Sequence, residues 1–501
     1  MTDVKELFME RLRKIKSYTE AASVLYWDLR TGAPKKGVQQ RSQTIGMLQT
    51  EAFKLTIADD MGEWLEKLSE PDTYKGLSAV EQRCVDMMRR RFDRSRKIPS
   101  DMYQAFVVLT SEAESVWEEA KRNADFASFR PYLEKIVDYN RKFAQLWGYE
   151  EHPYDALLDD YDPGMTVRKL DELFAGVREN IVPLVAQVQA SGVQPDVSFL
   201  KQPFDKAKQR AFSEFIVREL GYDMAAGRID ETEHPFATAL NIGDVRITTR
   251  FKPDDLTFSL FSTIHECGHA LYEQNIAPEL DGTPLADGAS YGIHESQSRF
   301  WEIFIGMSRP FWKRYMPELQ RFFPEQLGHV TAEQFYRAIN RSEPSLIRIE
   351  ADELTYNLHI MIRYEIEKQL IAGGIEVKDL PDIWNDKYEE YLGVRPSHDG
   401  EGVLQDVHWA GGSFGYFPSY SLGNMYAAQI QAKIKRDLPD FTSLVERGEF
   451  APIKAWLTER IYRHGSMMKP ETFIEQVTGE ALDSRYLIEH LQEKFRDLYG
   501  L

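Results

Sequence analysis

Hydrophobic residues recur at the spacing of an α-helix through most of the chain. Apolar side chains lie three or four positions apart among Lys, Arg and Glu, which predicts helices over residues 4–22, 61–68, 79–92, 102–124 and 129–146. Pro99 and Gly148 interrupt this pattern, as residues that end helices do. The first 190 residues are therefore predicted to form a helical array, and residues 191–203, which are rich in Gly and Pro, a loop.

Residues 241–251 have the alternation of a β-strand instead. The positions that alternate with polar residues are Val245, Ile247, Thr249 and Phe251. This period of two, with several β-branched side chains, predicts a strand. Gly243 and Asp244 stand just before it and indicate a turn from a partner strand.

Helical patterns resume after the strand. One helix is predicted to begin near Asp255, with Asp254 or Asp255 as its N-cap. A second is predicted over residues 290–307, ahead of Pro310, and a third over residues 345–372, where Gly373 ends it. The pattern therefore predicts a mainly α fold with a small β-sheet next to a helix.

Composition narrows the class of protein. The chain has 501 residues, 61 Lys and Arg against 80 Asp and Glu, a net charge of −19 at pH 7, and 43% hydrophobic residues. The hydrophobic content suffices for a large core, and the length alone would suggest about three domains. The acidic balance argues against a general nucleic-acid binder, because phosphate contacts need a basic surface.

The chain also lacks several localisation signals. Its two cysteines, Cys84 and Cys267, are too few for a disulfide framework. No apolar stretch approaches the roughly 18 residues of a membrane span, and the first residues lack the pattern of a secretory signal. We therefore expect a cytoplasmic protein without a membrane partner.

The strongest chemical signal is His265-Glu266-Cys267-Gly268-His269, an H-E-x-x-H motif in the helix after the strand. Residues four positions apart share a helix face, so both histidines can bind one Zn²⁺. Glu266 is placed to accept a proton from water beside the metal. The strand before the helix can hold an extended peptide. The segment therefore predicts a zinc peptidase.

A catalytic zinc site needs a third protein ligand and leaves a fourth position open. Glu295, 26 residues after His269, is the preferred candidate. His294 is the alternative. Adjacent residues on a helix point about 100° apart, so only one of the two is expected to face the metal.

Several short motifs follow one another in a recognisable order. They are His234-Pro235-Phe236, Asp244-Val-Arg246-Ile-Thr248, the H-E-x-x-H motif, His294-Glu295-Ser296-Gln297, Ile347-Arg348-Ile-Glu-Ala351-Asp352 and Gly402-Val-Leu-Gln405-Asp406-Val-His408-Trp409. Their order resembles the carboxypeptidase Taq family of zinc metallocarboxypeptidases, and the resemblance covers most of the chain.

The resemblance implies roles and an architecture. It implies His265, His269 and Glu295 as ligands of one zinc per subunit, Glu266 as the catalytic base, and a homodimer of mainly helical subunits. It further implies that residues 1–501 form a single catalytic unit with a deep groove. Its helical part would span about residues 1–190 and its zinc-site part about residues 204–501.

Two further residues are candidates for catalysis. A peptidase needs a donor besides the metal to stabilise the oxyanion. His408 and Tyr420, in a segment rich in aromatic residues, are our candidates, and similarity to related helical zinc peptidases supports them. The alternative for Tyr420 is a packing role in the core.

A carboxypeptidase must also recognise a free carboxylate, and the planar guanidinium of arginine suits that task. Arg246 and Arg348 are the candidates; one would bind the carboxylate while the other would close the end of the groove. The alternative for Arg348 is an i,i+4 ion pair with Asp352. His234 is a candidate for lining the groove.

A zinc-bound histidine usually donates its second ring N–H to an acceptor that orients it. In thermolysin-like enzymes a carboxylate four residues after the glutamate ligand often orients the first histidine. Here Arg299 stands at that position, so Asp352, Glu353 or a backbone carbonyl is expected to orient it instead.

The basic residues that cluster between residues 83 and 97 are expected to form a solvated helix face paired with acidic neighbours. The alternative is a patch that attracts substrate or partner.

The expected function is release of single amino acids from the carboxyl end of peptides. The resemblance implies broad specificity with proline disfavoured. A zinc oligopeptidase or dipeptidyl carboxypeptidase is the alternative, and a non-catalytic helical peptide-binding scaffold is the third interpretation. Zn²⁺ is the expected cofactor, and Co²⁺ can substitute because nitrogen and oxygen ligands bind both.

Overall fold

The computed structural model describes residues 4–501, and most of this part is helical. The helices before the sheet are α1 (Val4–Thr31), α2 (Val38–Ile57), α3 (Asp59–Leu68), α4 (Pro71–Lys75), α5 (Ala79–Lys97), α6 (Ser100–Asn123), α7 (Phe126–Trp147), α8 (Asp155–Tyr161), α9 (Val167–Ala190) and α10 (Lys206–Leu220). The helices predicted within residues 4–146 are confirmed. The predicted loop is also confirmed and contains one 3-10 turn, Ser198–Leu200.

A three-stranded sheet follows, formed by β1 (Ile229–Glu231), β2 (Ala237–Asn241) and β3 (Asp244–Thr249). Its order is β1-β3-β2, with β3 parallel to β1 and antiparallel to β2. Val245 and Ile247 are fully buried, whereas Arg246 between them is partly exposed. The predicted strand and its hairpin turn are therefore confirmed.

Helices form the remainder of the chain. They are α11 (Leu256–Gln274), α12 (Tyr291–Arg299), α13 (Arg309–Phe322), α14 (Pro324–Leu327), α15 (Ala332–Ile339), α16 (Glu353–Ala372), α17 (Leu380–Leu392), α18 (Pro418–Asp437), α19 (Phe441–Arg447), α20 (Ala451–Arg460), α21 (Pro470–Thr478) and α22 (Arg485–Tyr499). α12 continues directly into a π-helical segment, Phe300–Gly306. No helix within residues 4–501 combines the length and apolar character that crossing a bilayer requires.

The helix predicted over residues 345–372 begins later, at Glu353. Asp352 is its N-cap, because the carboxylate accepts hydrogen bonds from the backbone N–H groups of Leu354 and Thr355. Arg348 lies in a separate 3-10 turn, Arg348–Glu350. The i,i+4 pair of Arg348 with Asp352 therefore does not form, since the two residues are not on one helix.

α11, α12 and α18 pack closely around the prospective site, with α12 in contact with both of the others. Gly268 allows α11 to approach α12, because a Cβ at this position would lie 2.6 Å from the backbone oxygen of Gln297. On α18, a Cβ at Gly423 would lie 2.4 Å from Cγ of Glu295. The lack of a Cβ at Gly268 and at Gly423 therefore allows α11 and α18 to pack closely against α12.

Candidate metal centre and active site

Two histidines project from one face of α11. The helix begins after Asp255, whose carboxylate accepts a hydrogen bond of 3.0 Å from the backbone N–H of Phe258. This start places His265 and His269 one turn apart. Their ring centroids are separated by 5.0 Å. The helix therefore presents two imidazoles side by side.

Glu295 on α12 completes a group of three possible metal ligands. Its Oε2 lies 3.6 Å from Nε2 of His265 and 3.5 Å from Nε2 of His269. Ligand atoms about 2.0–2.1 Å from a tetrahedral metal are about 3.3–3.5 Å from each other. The group therefore fits Zn²⁺ or a cation of similar size. His294 instead forms a hydrogen bond of 2.7 Å through Nε2 with Oε1 of Glu273.

A fourth residue, Glu302, orients the first histidine, and sequence reasoning missed it. Nδ1 of His265 lies 2.8 Å from Oε2 of Glu302. Burial opposes the charge on His265, but Glu295 and Glu302 outweigh it and raise its pKa to about 9, which makes the ring a more basic ligand. Arg299 bridges the two carboxylates, donating to Glu295 at 2.7 Å and to Glu302 at 3.2 Å.

The expected partners of His265 lie elsewhere. Asp352 caps α16, and Glu353 pairs with His490 and Lys494. The signal that could have found Glu302 is its position seven residues after Glu295, two turns along and on the same helix face.

Burial and neighbouring charges set the protonation of the other groups. Burial lowers the pKa of His269 to about 3, so its imidazole is neutral, as a metal ligand must be. Burial raises the pKa of Glu266 to about 7, within the range that suits a proton acceptor at neutral pH. It also opposes ionisation of Glu295, but Arg299 and His265 outweigh it and hold the pKa of that carboxyl well below its usual range.

His269 is held by ring stacking. Its Nδ1 is buried and has no hydrogen-bond partner among residues 4–501. The ring instead stacks on His294, with centroids 4.5 Å apart and an interplanar angle of 21°. His294 in turn stacks on Tyr272. The two histidines are therefore oriented by different means, one by a carboxylate and one by a stack.

His408 and Tyr420 lie next to each other. Nε2 of His408 is 3.4 Å from the hydroxyl of Tyr420. Burial and the nearby arginines lower the pKa of His408 to about 4, although Asp406 opposes them, so the ring is neutral at neutral pH. Tyr420 lines the same groove as His265, His269 and Glu295. Its hydroxyl can therefore donate a hydrogen bond towards a bound substrate.

Arg348 lies behind Tyr420 in a buried charge cluster. It donates to Asp406 at 2.7 Å, and its guanidinium lies 5.1 Å from the centroid of the Tyr420 ring. Arg363 donates to the other oxygen of Asp406 at 2.7 Å. Two guanidinium groups thus share one carboxylate, so the cluster retains one positive charge. Arg348 itself does not line the groove.

The other two predicted binding residues, Arg246 and His234, do not line the groove. Arg246 forms two hydrogen bonds with Asp244, at 2.8 and 2.7 Å, and its guanidinium lies over the ring of Trp27. His234 is exposed in the loop before β2. The groove is lined by its neighbours Pro235 and Phe236 instead.

His265, His269 and Glu295 open into a groove of about 1950 Å³. Near the ligands it is lined by Phe236 and Tyr420. Away from them it runs along α2, α5 and α6, where Phe53 and Tyr103 stack with centroids 5.8 Å apart. The groove is thus much longer than one amino acid.

Several arginines of α5 pair with acidic residues along this groove, as expected. Each of three ion pairs has a distance of 2.8 Å: Arg90 with Asp159, Arg94 with Asp160, and Arg96 with Asp59. Arg91 lines the groove without such a partner.

The fold and the site together define a class of protein. A helical chain with H-E-x-x-H on one helix, a glutamate beside both histidines on the next and a peptide-sized groove next to them is typical of a metallopeptidase. Residues 7–495 match the profile of a family described as carboxypeptidase Taq (M32) metallopeptidase, and the chain belongs to this family. It is a metal-dependent peptide hydrolase, so the predicted family, enzyme class and mainly α fold are confirmed.

The chain is similar to several proteins named as carboxypeptidases. Carboxypeptidase 1 of Bacillus subtilis (strain 168) is 52% identical over 494 residues, covering 99% of this chain and 98% of the relative. Thermostable carboxypeptidase 1 of Thermus thermophilus is 43% identical, covering 95% and 94%. A crystal structure of an M32 carboxypeptidase from Deinococcus radiodurans R1 superposes with a TM-score of 0.96 at 38% identity and covers 100% of both chains.

Proposed function

We propose that this metallocarboxypeptidase releases single amino acids from the free carboxyl end of peptides. The observation that carries the proposal is the group of His265, His269 and Glu295 with Glu266 beside it, all lining one groove. We further propose that residues 1–501 act as one catalytic unit in a homodimer. Broad specificity with proline disfavoured, as the resemblance implies, belongs to the same proposal.

We propose Zn²⁺ as the metal, with Co²⁺ able to substitute, since two imidazoles and one carboxylate suit both cations. His265, His269 and Glu295 would hold it. When bound, such a cation polarises the scissile carbonyl and acidifies a water molecule. The residues of the chain then have to move the protons, stabilise the developing charge and position the peptide.

Glu266 is the proposed proton carrier. Its carboxylate accepts the proton of the attacking water and then passes it to the nitrogen of the departing amino acid. The side chain is 7% exposed, so little bulk water competes for this proton. Because Glu266 is next to His265 in the chain, α11 fixes the base and the ligand together.

Tyr420 is the proposed donor to the oxyanion, and His408 its proposed positioning partner. The Tyr420 hydroxyl lines the groove and contacts His408. A neutral His408 can hold the hydroxyl without adding a charge. A single donor of this kind typically contributes about 10²–10³-fold to the rate.

For the substrate carboxylate, we propose the cluster around Arg348 in preference to Arg246. Asp406 is shared by Arg348 and Arg363, so one positive charge remains to attract an anion beside Tyr420. Arg246 is matched by its own carboxylate, Asp244. Arg246 also does not line the groove.

A time course on one unblocked peptide and its carboxyl-terminal amide tests the proposal. We expect mass spectrometry to show a ladder of one-residue steps from the free acid, no cleavage of the amide, and about one equivalent of metal on the same sample. Equal cleavage of the amide would support an oligopeptidase. Release of residue pairs would support a dipeptidyl carboxypeptidase, and no turnover by metal-loaded protein would support the peptide-binding scaffold.

A further inference from the structure

Arg91 stands out among the charged residues of the groove. Its side chain makes no hydrogen bond or ion pair with any residue of 4–501, although neighbours on α5 are paired. It is open to solvent in the groove, and Asp287 is the main acidic residue whose charge acts on it. An unpaired guanidinium gains from an anionic ligand.

Arg91 lies near the helix that carries Glu295. Its charge acts on Tyr291, and Tyr291 lines the groove one turn before Glu295 on α12. One helical turn spans about 5.4 Å. Arg91 therefore faces substrate residues that lie a few positions from the scissile bond.

The course of the groove indicates which residues these are. A carboxypeptidase substrate has one residue on the carboxyl side of the scissile bond and all others on the amino side. The long part of the groove, along α2, α5 and α6, therefore has to hold the amino side of the peptide, and Arg91 on α5 belongs to that part.

The local charge favours an anion there. Outside the metal centre, the groove is lined by Arg83, Arg90, Arg91, Arg94, Arg96 and Lys469 against Asp86, Asp159, Asp160 and Asp287. The basic groups outnumber the acidic ones, although the whole chain has a net charge of −19. Like Arg91, Lys469 is exposed and its side chain has no partner among residues 4–501.

We propose that Arg91 forms a subsite for an acidic side chain of the peptide, a few residues on the amino side of the scissile bond. The enzyme would then prefer peptides with Asp or Glu at that position. The inference rests on the proposed function, because it presumes that the long part of the groove holds the amino side of the substrate.

Steady-state kinetics on a set of six-residue peptides test this subsite. The peptides share the same carboxyl-terminal residue and carry Glu or Gln at each successive position on its amino side. For the wild type we expect kcat/KM to favour Glu over Gln about two- to five-fold at one position, mainly through KM. The preference should decrease in 0.5 M salt. In Arg91→Gln the ratio should fall to about one.

Arg89→Gln is the matched control, since it removes the same charge from the same helix at a residue that does not line the groove. It should keep the wild-type Glu preference. No preference in the wild type, or the same preference in Arg91→Gln, would overturn the subsite. So would loss of discrimination between acid and amide in Arg91→Gln, which would make Arg91 the terminal carboxylate site. Failure of all peptides to react would count against the proposed function instead.

Discussion

Replacing Gly423 by alanine should weaken metal binding although it introduces a better helix former. Gly423 lies inside α18 and faces Glu295 on α12. A Cβ at this position would be 2.4 Å from Cγ and 2.7 Å from Cβ of Glu295. Carbon atoms in contact prefer about 3.5–4.0 Å, so the Glu295 side chain or one of the helices has to move by about 1 Å.

A movement of this size is large for a metal ligand. Metal–ligand distances tolerate about 0.2 Å, so we expect at least a 10–100-fold loss of metal affinity. Overpacking should cost about 1–3 kcal/mol of folding free energy, while alanine returns about 1 kcal/mol through helix propensity. The metal-free protein should therefore be destabilised only slightly. The affinity for the metal should therefore change much more than the free energy of unfolding.

Competition with a chromogenic chelator measures the affinity, and urea unfolding of the chelator-treated protein measures the stability. Gly46→Ala is the control, because Gly46 is also inside a helix but a Cβ there has nothing within 4 Å. The Gly46→Ala variant should gain about 1 kcal/mol of folding free energy and bind the metal as the wild type does. Wild-type metal affinity and kcat/KM in Gly423→Ala would refute the argument that this close contact positions Glu295.

Four other substitutions test single roles. Glu266→Gln should retain full metal content and lose about 10²–10⁴-fold in kcat; substantial turnover would remove Glu266 as the base. Glu302→Gln should weaken metal binding about 10–100-fold in the chelator assay, because His265 loses a charged acceptor; unchanged affinity would contradict this role. Tyr420→Phe should lower kcat about 10²–10³-fold with little change in KM, and an unchanged kcat would return Tyr420 to a packing role. Burial opposes the charge of Glu353, but Lys494 and His490 outweigh it and lower its pKa from 4.5 to about 2. Its carboxylate therefore stabilises the fold above pH 4.5, and this contribution is lost as the pH falls towards 2. In urea unfolding between pH 3 and 7, the advantage of wild type over Glu353→Gln should shrink towards acid, and an advantage independent of pH would oppose the assignment.

Local patterns predicted the elements of the fold better than their ends. The period of two around Ile247 and the Asp255 N-cap were sufficient to find β3 and the start of α11. The same reasoning placed the start of α16 eight residues too early, because Arg348 and its neighbours continue the apolar spacing of a helix. The N-cap hydrogen bonds of Asp352 decide the boundary. Such a competition between possible caps is difficult to judge from spacing alone.

Side chains that share one helix could be placed together from the sequence. His265, Glu266 and His269 follow from a fixed spacing on α11. The partners of Arg348 could not be predicted from spacing, because Asp406 and Arg363 come from distant parts of the chain and meet only through packing. Glu302 is an intermediate case, because it is near Glu295 in sequence but its contact with His265 depends on how two helices pack.

Hydrogen bonds between helices distinguish the parts of the site that must stay fixed from the parts that can vary. Asp162, which is buried, accepts from the backbone N–H of Gly292 at 3.0 Å and from the hydroxyl of Ser419 at 2.6 Å. It thereby ties the start of α12, which carries Glu295, to the start of α18, which carries Tyr420. A change in this junction should move the proposed metal ligand and the proposed oxyanion donor together, so it should affect catalysis for every peptide. Arg91 has no such tie to the catalytic helices, and its replacement should therefore alter peptide preference while the chemistry continues.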